Sequence, residues 1–148
     1  MKLYHGTSKK LETLKRQQTQ TMKRLNSEGK IINEGDLLNA IYFTPKFGFA
    51  LAMGARPEGH TKIDNSEDKI TFEKLEFFDP EKDVYIYEID SEDIPESKLR
   101  KVDETQYVVD MDEVVPTGEQ KLKAEEVLKY YELVNWKGKE LHREIRLK

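Results

Sequence analysis

Apolar positions along this chain fall in short clusters separated by charged stretches, and most clusters carry the period of strands rather than of helices. Lys2–Thr7 reads as a short strand with Gly6 near its end, where a backbone without a side chain can approach another group closely. Residues 8–30 are polar and basic with sparse apolar positions (Leu11, Leu14, Met22, Leu25), and Gly29 and Gly35 mark a loop. Asn39–Thr44 is a second strand, stopped by Pro45. The following KFGFALAMGA spaces Phe47, Ala50, Leu51 and Gly54 as on one face of a helix, which predicts a short helix packed on a sheet and broken by RPEGH.

Beyond Lys69 the pattern turns to strands. Ile70–Phe72 is one and Gln106–Val109 another, while VYIYEID alternates Val84, Ile86 and Glu88 against Tyr85, Tyr87 and Ile89. Its nearly continuous apolar run from Val84 to Tyr87 predicts a strand covered on both faces. Pro80 and Pro95 punctuate either side, and Pro116-Thr117-Gly118 is a turn. Ala124–Tyr131 is the clearest late helix, with Val127, Leu128 and Tyr131 expected on one side, and His142–Leu147 reads as a closing strand. Strands outnumber helices without regular alternation, so the expected class is α+β with mixed or antiparallel sheets. A chain of 148 residues suits one domain, residues 1–148.

Composition narrows the chemistry. Apolar and charged residues each make up 36%, which suits a small core under a heavily charged surface. The absence of cysteine excludes disulfides, thiolate metal sites and cysteine nucleophiles. MKLYHGTSKK has no apolar leader-like region and no run approaches membrane-spanning length, so a cytoplasmic chain with no membrane partner is expected. The net charge of −4 is unevenly spread. Residues 1–30 hold eight Lys/Arg against Glu12 and Glu28, a net +6, whereas residues 64–113 hold eighteen acids against six bases, a net −12. The basic Lys9–Lys30 segment is a candidate surface for nucleic-acid phosphates; the plainer reading is a solvated basic face balanced by an acidic one.

No Gly-rich phosphate loop and no G-x-S-x-G is present, and His5, His60 and His142 lack metal-ligand spacing, so no metal is expected. What remains is a scattered set: LYHGTS with His5 before a glycine, IYFTP with Tyr42 on a strand ahead of an Ala/Gly-containing helix, and DETQYVVDMDEV with Gln106 opening a late strand. By themselves these residues also fit a capped strand-end histidine, a core tyrosine and a surface glutamine.

LYHGTS and IYFTP…FALAMGA resemble the first two motifs of the ADP-ribosyltransferase superfamily, which includes poly(ADP-ribose) polymerases, rifamycin-inactivating transferases and RNA 2′-phosphotransferases. TQYVVDMDEV resembles the polymerase-type third motif. The resemblance implies split sheets forming a cleft with a few short flanking helices, NAD as substrate, and glycosyltransferase chemistry that releases nicotinamide. It implies that His5 bonds the adenosine ribose, Gly6 holds the nicotinamide carboxamide through its backbone, and Tyr42 stacks on nicotinamide, with Thr7 and Thr44 as neighbouring binding residues. The third motif normally carries glutamate; here Gln106 stands in its place, accepting a hydroxyl hydrogen bond but offering no negative charge to an oxocarbenium-like sugar. Glu104, two residues earlier, shares the face of Gln106 if extended chain begins there, an E-T-Q that reverses the toxin-type order. The acceptor is unidentified. RNA 2′-phosphate transfer and a catalytically silent NAD-, ADP-ribose- or protein-binding module are the alternatives.

Overall fold

A computed structural model describes residues 1–16, 24–25, 31–32 and 40–135. The chain opens with β1 (Lys2–Thr7), followed by the short β2 (Leu14–Lys15), β3 (Arg24–Leu25) and β4 (Ile31–Ile32), then β5 (Ile41–Phe43). The helix α1 (Phe47–Ala55) comes next, then β6 (Thr61–Asp64), β7 (Lys69–Phe72) and the long β8 (Asp83–Asp90). After them come β9 (Leu99–Asp103), β10 (Gln106–Val109), β11 (Glu113–Val114), β12 (Gly118–Lys123) and β13 (Glu132–Asn135). The α+β class expected from the sequence is the class observed, with strands dominating.

Two antiparallel three-stranded sheets form the centre, β1-β8-β12 and β5-β10-β9. β8 lies between β1 and β12, in register at His5↔Tyr87 and Gly118↔Glu88. Its alternation sorts two cores. Val84 and Ile86 face one with α1, Ile70, Phe72 and Val127, while Tyr87 and Ile89 face a second with Leu3, Leu14, Ile41, Phe43 and Val109. A strand buried on both faces needs apolar residues at odd and even positions alike, which is the run seen in the sequence.

α1 is apolar all round because it is enclosed; six of its nine residues are buried. It sits unusually close to β1 and β8. A Cβ on Gly6 would lie 1.7 Å from the Ala50 carbonyl oxygen, and one on Gly54 would lie 2.5 Å from Val84 Cγ1 and 2.9 Å from Thr7 N. Glycines on both partners therefore let helix and strand backbones touch.

One sequence expectation changes, and two strands were not read from the sequence. Residues 124–129 form a 3₁₀ helix, whose three-residue turn puts Ala124 and Val127 in the core and leaves Leu128 55% exposed rather than on the buried side. The polar β12 was invisible to hydrophobic patterning because it is an edge strand, and its lysines suit that position. β13 runs parallel to β7, pairing Glu132 with Lys69 through Asn135 with Phe72. The expected strand at His142–Leu147 lies outside the described residues.

Candidate functional site

The two central sheets meet at a single residue pair. Tyr4 and Thr44 exchange both backbone hydrogen bonds at 2.8 Å, an isolated antiparallel bridge, and beyond it β1 and β5 part. Continued pairing would set Gly6 against Tyr42. Instead the His5 ring enters the opening, and its Nδ1 lies 2.8 Å from the Tyr42 carbonyl oxygen that a strand partner would have taken. A carbonyl only accepts, so Nδ1 carries the proton and donates, leaving Nε2 as the acceptor of a neutral imidazole. Burial agrees: desolvation pulls the His5 pKa below 6.5, against the opposing effect of the Tyr42 bond.

Alternation along β1 decides what else faces the opening. Tyr4 gives both backbone groups to Thr44, so Leu3, His5 and Thr7 pair with β8, while Gly6 turns its N–H and C=O toward the β5 side. Among the described residues no backbone hydrogen bond joins Gly6 to β5. Gly6 thus presents one donor and one acceptor, side by side, at the edge of the parting. The need for glycine is nevertheless set by the Ala50 carbonyl pressed against its Cα, a packing reason distinct from ligand approach.

Tyr42 is partly buried on β5, in register with Val108 of β10, and packs with Ala40, Val108 and Val102. Gln106 is two residues along β10 from Val108, so pleating puts it on the Tyr42 face. A bulge at Val102, between the pairs Gln106↔Asp103 and Tyr107↔Lys101, ends regular pairing beside Gln106. His5 lies on the other side. Its ring centroid is 6.0 Å from that of Phe43 at 63°, and Phe43 belongs to the second core. The structure brings His5, Gly6 and Tyr42 to one opening but sends the two rings to opposite faces of β5. A ligand that meets both must lie along the gap, edge-on to the strands.

The remaining expected site residues fare differently. Glu104 does not share the strand face of Gln106, because β10 begins only at Gln106 and Glu104 sits in the β9–β10 turn, 80% exposed and paired with Lys101 at 3.0 Å. That turn is tightened by the buried Asp103, whose Oδ1 accepts from Thr105 N–H at 2.8 Å and from Thr105 Oγ1 at 3.0 Å. Thr44 is 4% exposed and its Oγ1 accepts from Lys46 N–H, while Thr7 Oγ1 accepts from Lys9 N–H. Both hydroxyls serve local turns.

Sequence reasoning missed the segment that closes the His5 side. A cavity of about 460 Å³ lies between His5 and Ile41 on one side and the run from Lys10 to Lys15 on the other. That run is strapped down at both ends. Leu11 N–H donates to Tyr87 Oη, and Lys10 Nζ lies 2.8 and 3.0 Å from the two Glu119 oxygens. At the far end β2 pairs with β11, and Arg16 bonds Asp110 at 2.7 Å and Asp112 at 2.9 Å. Part of the charge asymmetry is therefore answered within the molecule: Lys10 meets Glu119 and Arg16 meets Asp110 and Asp112, while Lys23 and Lys30 lie outside the described residues. No helix among the described residues is long and apolar enough to cross a membrane.

Compared with protein-family models, with curated proteins and with solved structures, the chain gives no match in any of the three.

Proposed function

We propose that this chain binds NAD in the opening between β1 and β5 and transfers ADP-ribose to an acceptor, releasing nicotinamide. The observation that carries the reading is the parting itself. The strands separate directly beyond Tyr4 and Thr44, at the residues His5, Gly6 and Tyr42 that resemble the transferase motifs, with Gly6 turned toward the gap. A carboxamide needs one acceptor for its N–H and one donor for its oxygen, and the Gly6 backbone offers that pair. Tyr42 supplies a flat ring for nicotinamide, and the neutral His5 offers Nε2 to a ribose hydroxyl. In the reaction the bond from ribose C1′ to the nicotinamide nitrogen breaks, and its electron pair leaves with the ring. An acceptor nucleophile forms the new bond at C1′ and gives its proton to solvent.

The Glu104 and Gln106 geometry favours a second reading, in which the cleft binds NAD or ADP-ribose without turnover. Gln106 brings no charge, and the nearest glutamate in sequence is held in the turn by Lys101. Incubation with NAD labelled in the nicotinamide ring separates the two: released nicotinamide means transfer or hydrolysis, and saturable binding without release means a binding module. Absence of binding removes both. Tyr42→Ala should weaken NAD binding about ten-fold and Tyr42→Phe by much less, because stacking needs the ring and not the hydroxyl. Equal losses would take the nicotinamide away from Tyr42.

A further inference from the structure

We propose that the cavity under residues 10–15 is a phosphate-binding site for a nucleoside diphosphate, with Lys10 and Lys15 as its cations and Glu119 as a resident anion that Lys10 leaves when the ligand arrives. The site rests on the nucleotide reading of the opening but names residues that reading does not use.

Four observations converge. The cavity of about 460 Å³ is in the size range of small-molecule sites, and it is walled by apolar Leu11, Leu14 and Ile41 with two lysines, one histidine, one threonine and a single acid, Glu12. His5 is neutral there with Nε2 as acceptor, which suits a sugar hydroxyl and not a phosphate oxygen, so the phosphates fall to the lysines. Lys10 is held in place before any ligand: both Glu119 oxygens are within 3.0 Å of its Nζ, which also lies 5.9 Å from the Tyr85 ring centroid. Residues 10–16 are anchored at both ends, by Tyr87 Oη and by β11, so the cavity wall is preformed rather than assembled by the ligand. Glu119 neutralises the Lys10 ammonium while no ligand is bound, and a phosphate, carrying more charge than a carboxylate, competes with it for that cation.

The rival explanation is that Lys10–Glu119 is only a latch for the segment. The two differ in sign. If the pair is a latch, removing either partner loosens the wall and weakens any ligand. If Glu119 competes with phosphate, the two substitutions act oppositely. The experiment is titration calorimetry of the full chain with ADP, with adenosine as the phosphate-free control. Lys10→Ala should weaken ADP about ten-fold, and Glu119→Gln should tighten it about three-fold or more, with adenosine affinity unchanged by both. Thermal unfolding of each variant establishes that it is folded at the titration temperature; should Lys10→Ala fail there, Lys15→Ala and Glu119→Gln carry the same opposite-sign test. Weakening by both substitutions, adenosine bound as tightly as ADP, or no ADP binding by the wild type would each overturn the proposal. A wild type that binds ADP with this pattern but releases no nicotinamide from NAD would sink the transferase reading and leave the phosphate site standing.

Discussion

At the residue scale, His5 and Gln106 each make a separate prediction. His5 is neutral in the fold because desolvation pulls its pKa below 6.5, so the unfolded chain binds more protons than the folded one as pH falls through that value. The stability due to this group is complete above about pH 6.5 and is lost progressively below it. The urea midpoint should therefore drop between about pH 7.5 and pH 5.5, above the range in which carboxylates titrate. His5→Asn, which keeps a donor near the Tyr42 carbonyl without a titratable ring, should flatten most of that drop; an unchanged drop would place its source elsewhere. Gln106 shares the Tyr42 face, and under the proposed NAD reading glutamate there would put a carboxylate near the ribose, where positive charge would develop. Gln106→Glu should raise NAD hydrolysis about ten-fold, roughly 1.4 kcal/mol of barrier, measured as nicotinamide release. No change would mean that position 106 does not face the reacting sugar.

At the scale of elements, the contact between α1 and β1 positions the opening. The Ala50 carbonyl occupies the space in which any side chain at position 6 would begin, and Gly54 repeats the close approach one turn later against Thr7 and Val84. Gly6→Ala must push helix from strand and should cost about 3 kcal/mol, the upper part of the range for overpacking a tight core, read as a lower denaturant midpoint at unchanged slope. A loss under about 0.5 kcal/mol would show that α1 shifts easily. The same contact makes Gly6 variants poor probes of ligand binding, since packing fails before recognition is tested.

Across the whole molecule, the long β8 divides two cores, and the segment 10–16 crosses from β1 to lie against the second of them. Leu14 is the plug, 1% exposed among Leu3, Ile41, Phe43 and Val114. Leu14→Ala should cost about 3 kcal/mol and widen the cavity beside His5, so ADP or NAD affinity should fall together with stability. Unfolding by denaturant and a ligand titration on the same variant check both halves. Stability lost with affinity intact would separate the plug from the site.

β1, β5, α1, β7, β8 and β10 were legible along the chain, because each is specified by near-neighbour pattern: period-two or doubly buried apolar runs, Pro45 as a stop, and an apolar segment of helical length ended at Pro57. The residues of the opening were singled out by the resemblance of LYHGTS and IYFTP to transferase motifs, since the pattern alone left His5 and Tyr42 open to plainer roles. Three features were not legible. The parting of β1 from β5 depends on whether the Gly6 N–H or the His5 ring takes the Tyr42 carbonyl, and the ring takes it across 37 positions. Whether Glu104 stands beside Gln106 depends on where the β9–β10 turn places the start of pairing, and a turn closed by Asp103 and Thr105 puts Glu104 outside the strand. The wall of the cavity beside His5 rests on Lys10 finding Glu119 across 109 positions and Arg16 finding Asp112 across 96. Local periodicity states which face of a segment is apolar; only the folded chain decides what that face meets, because pairing and charge matching are set by the competition among all the partners that folding brings within reach.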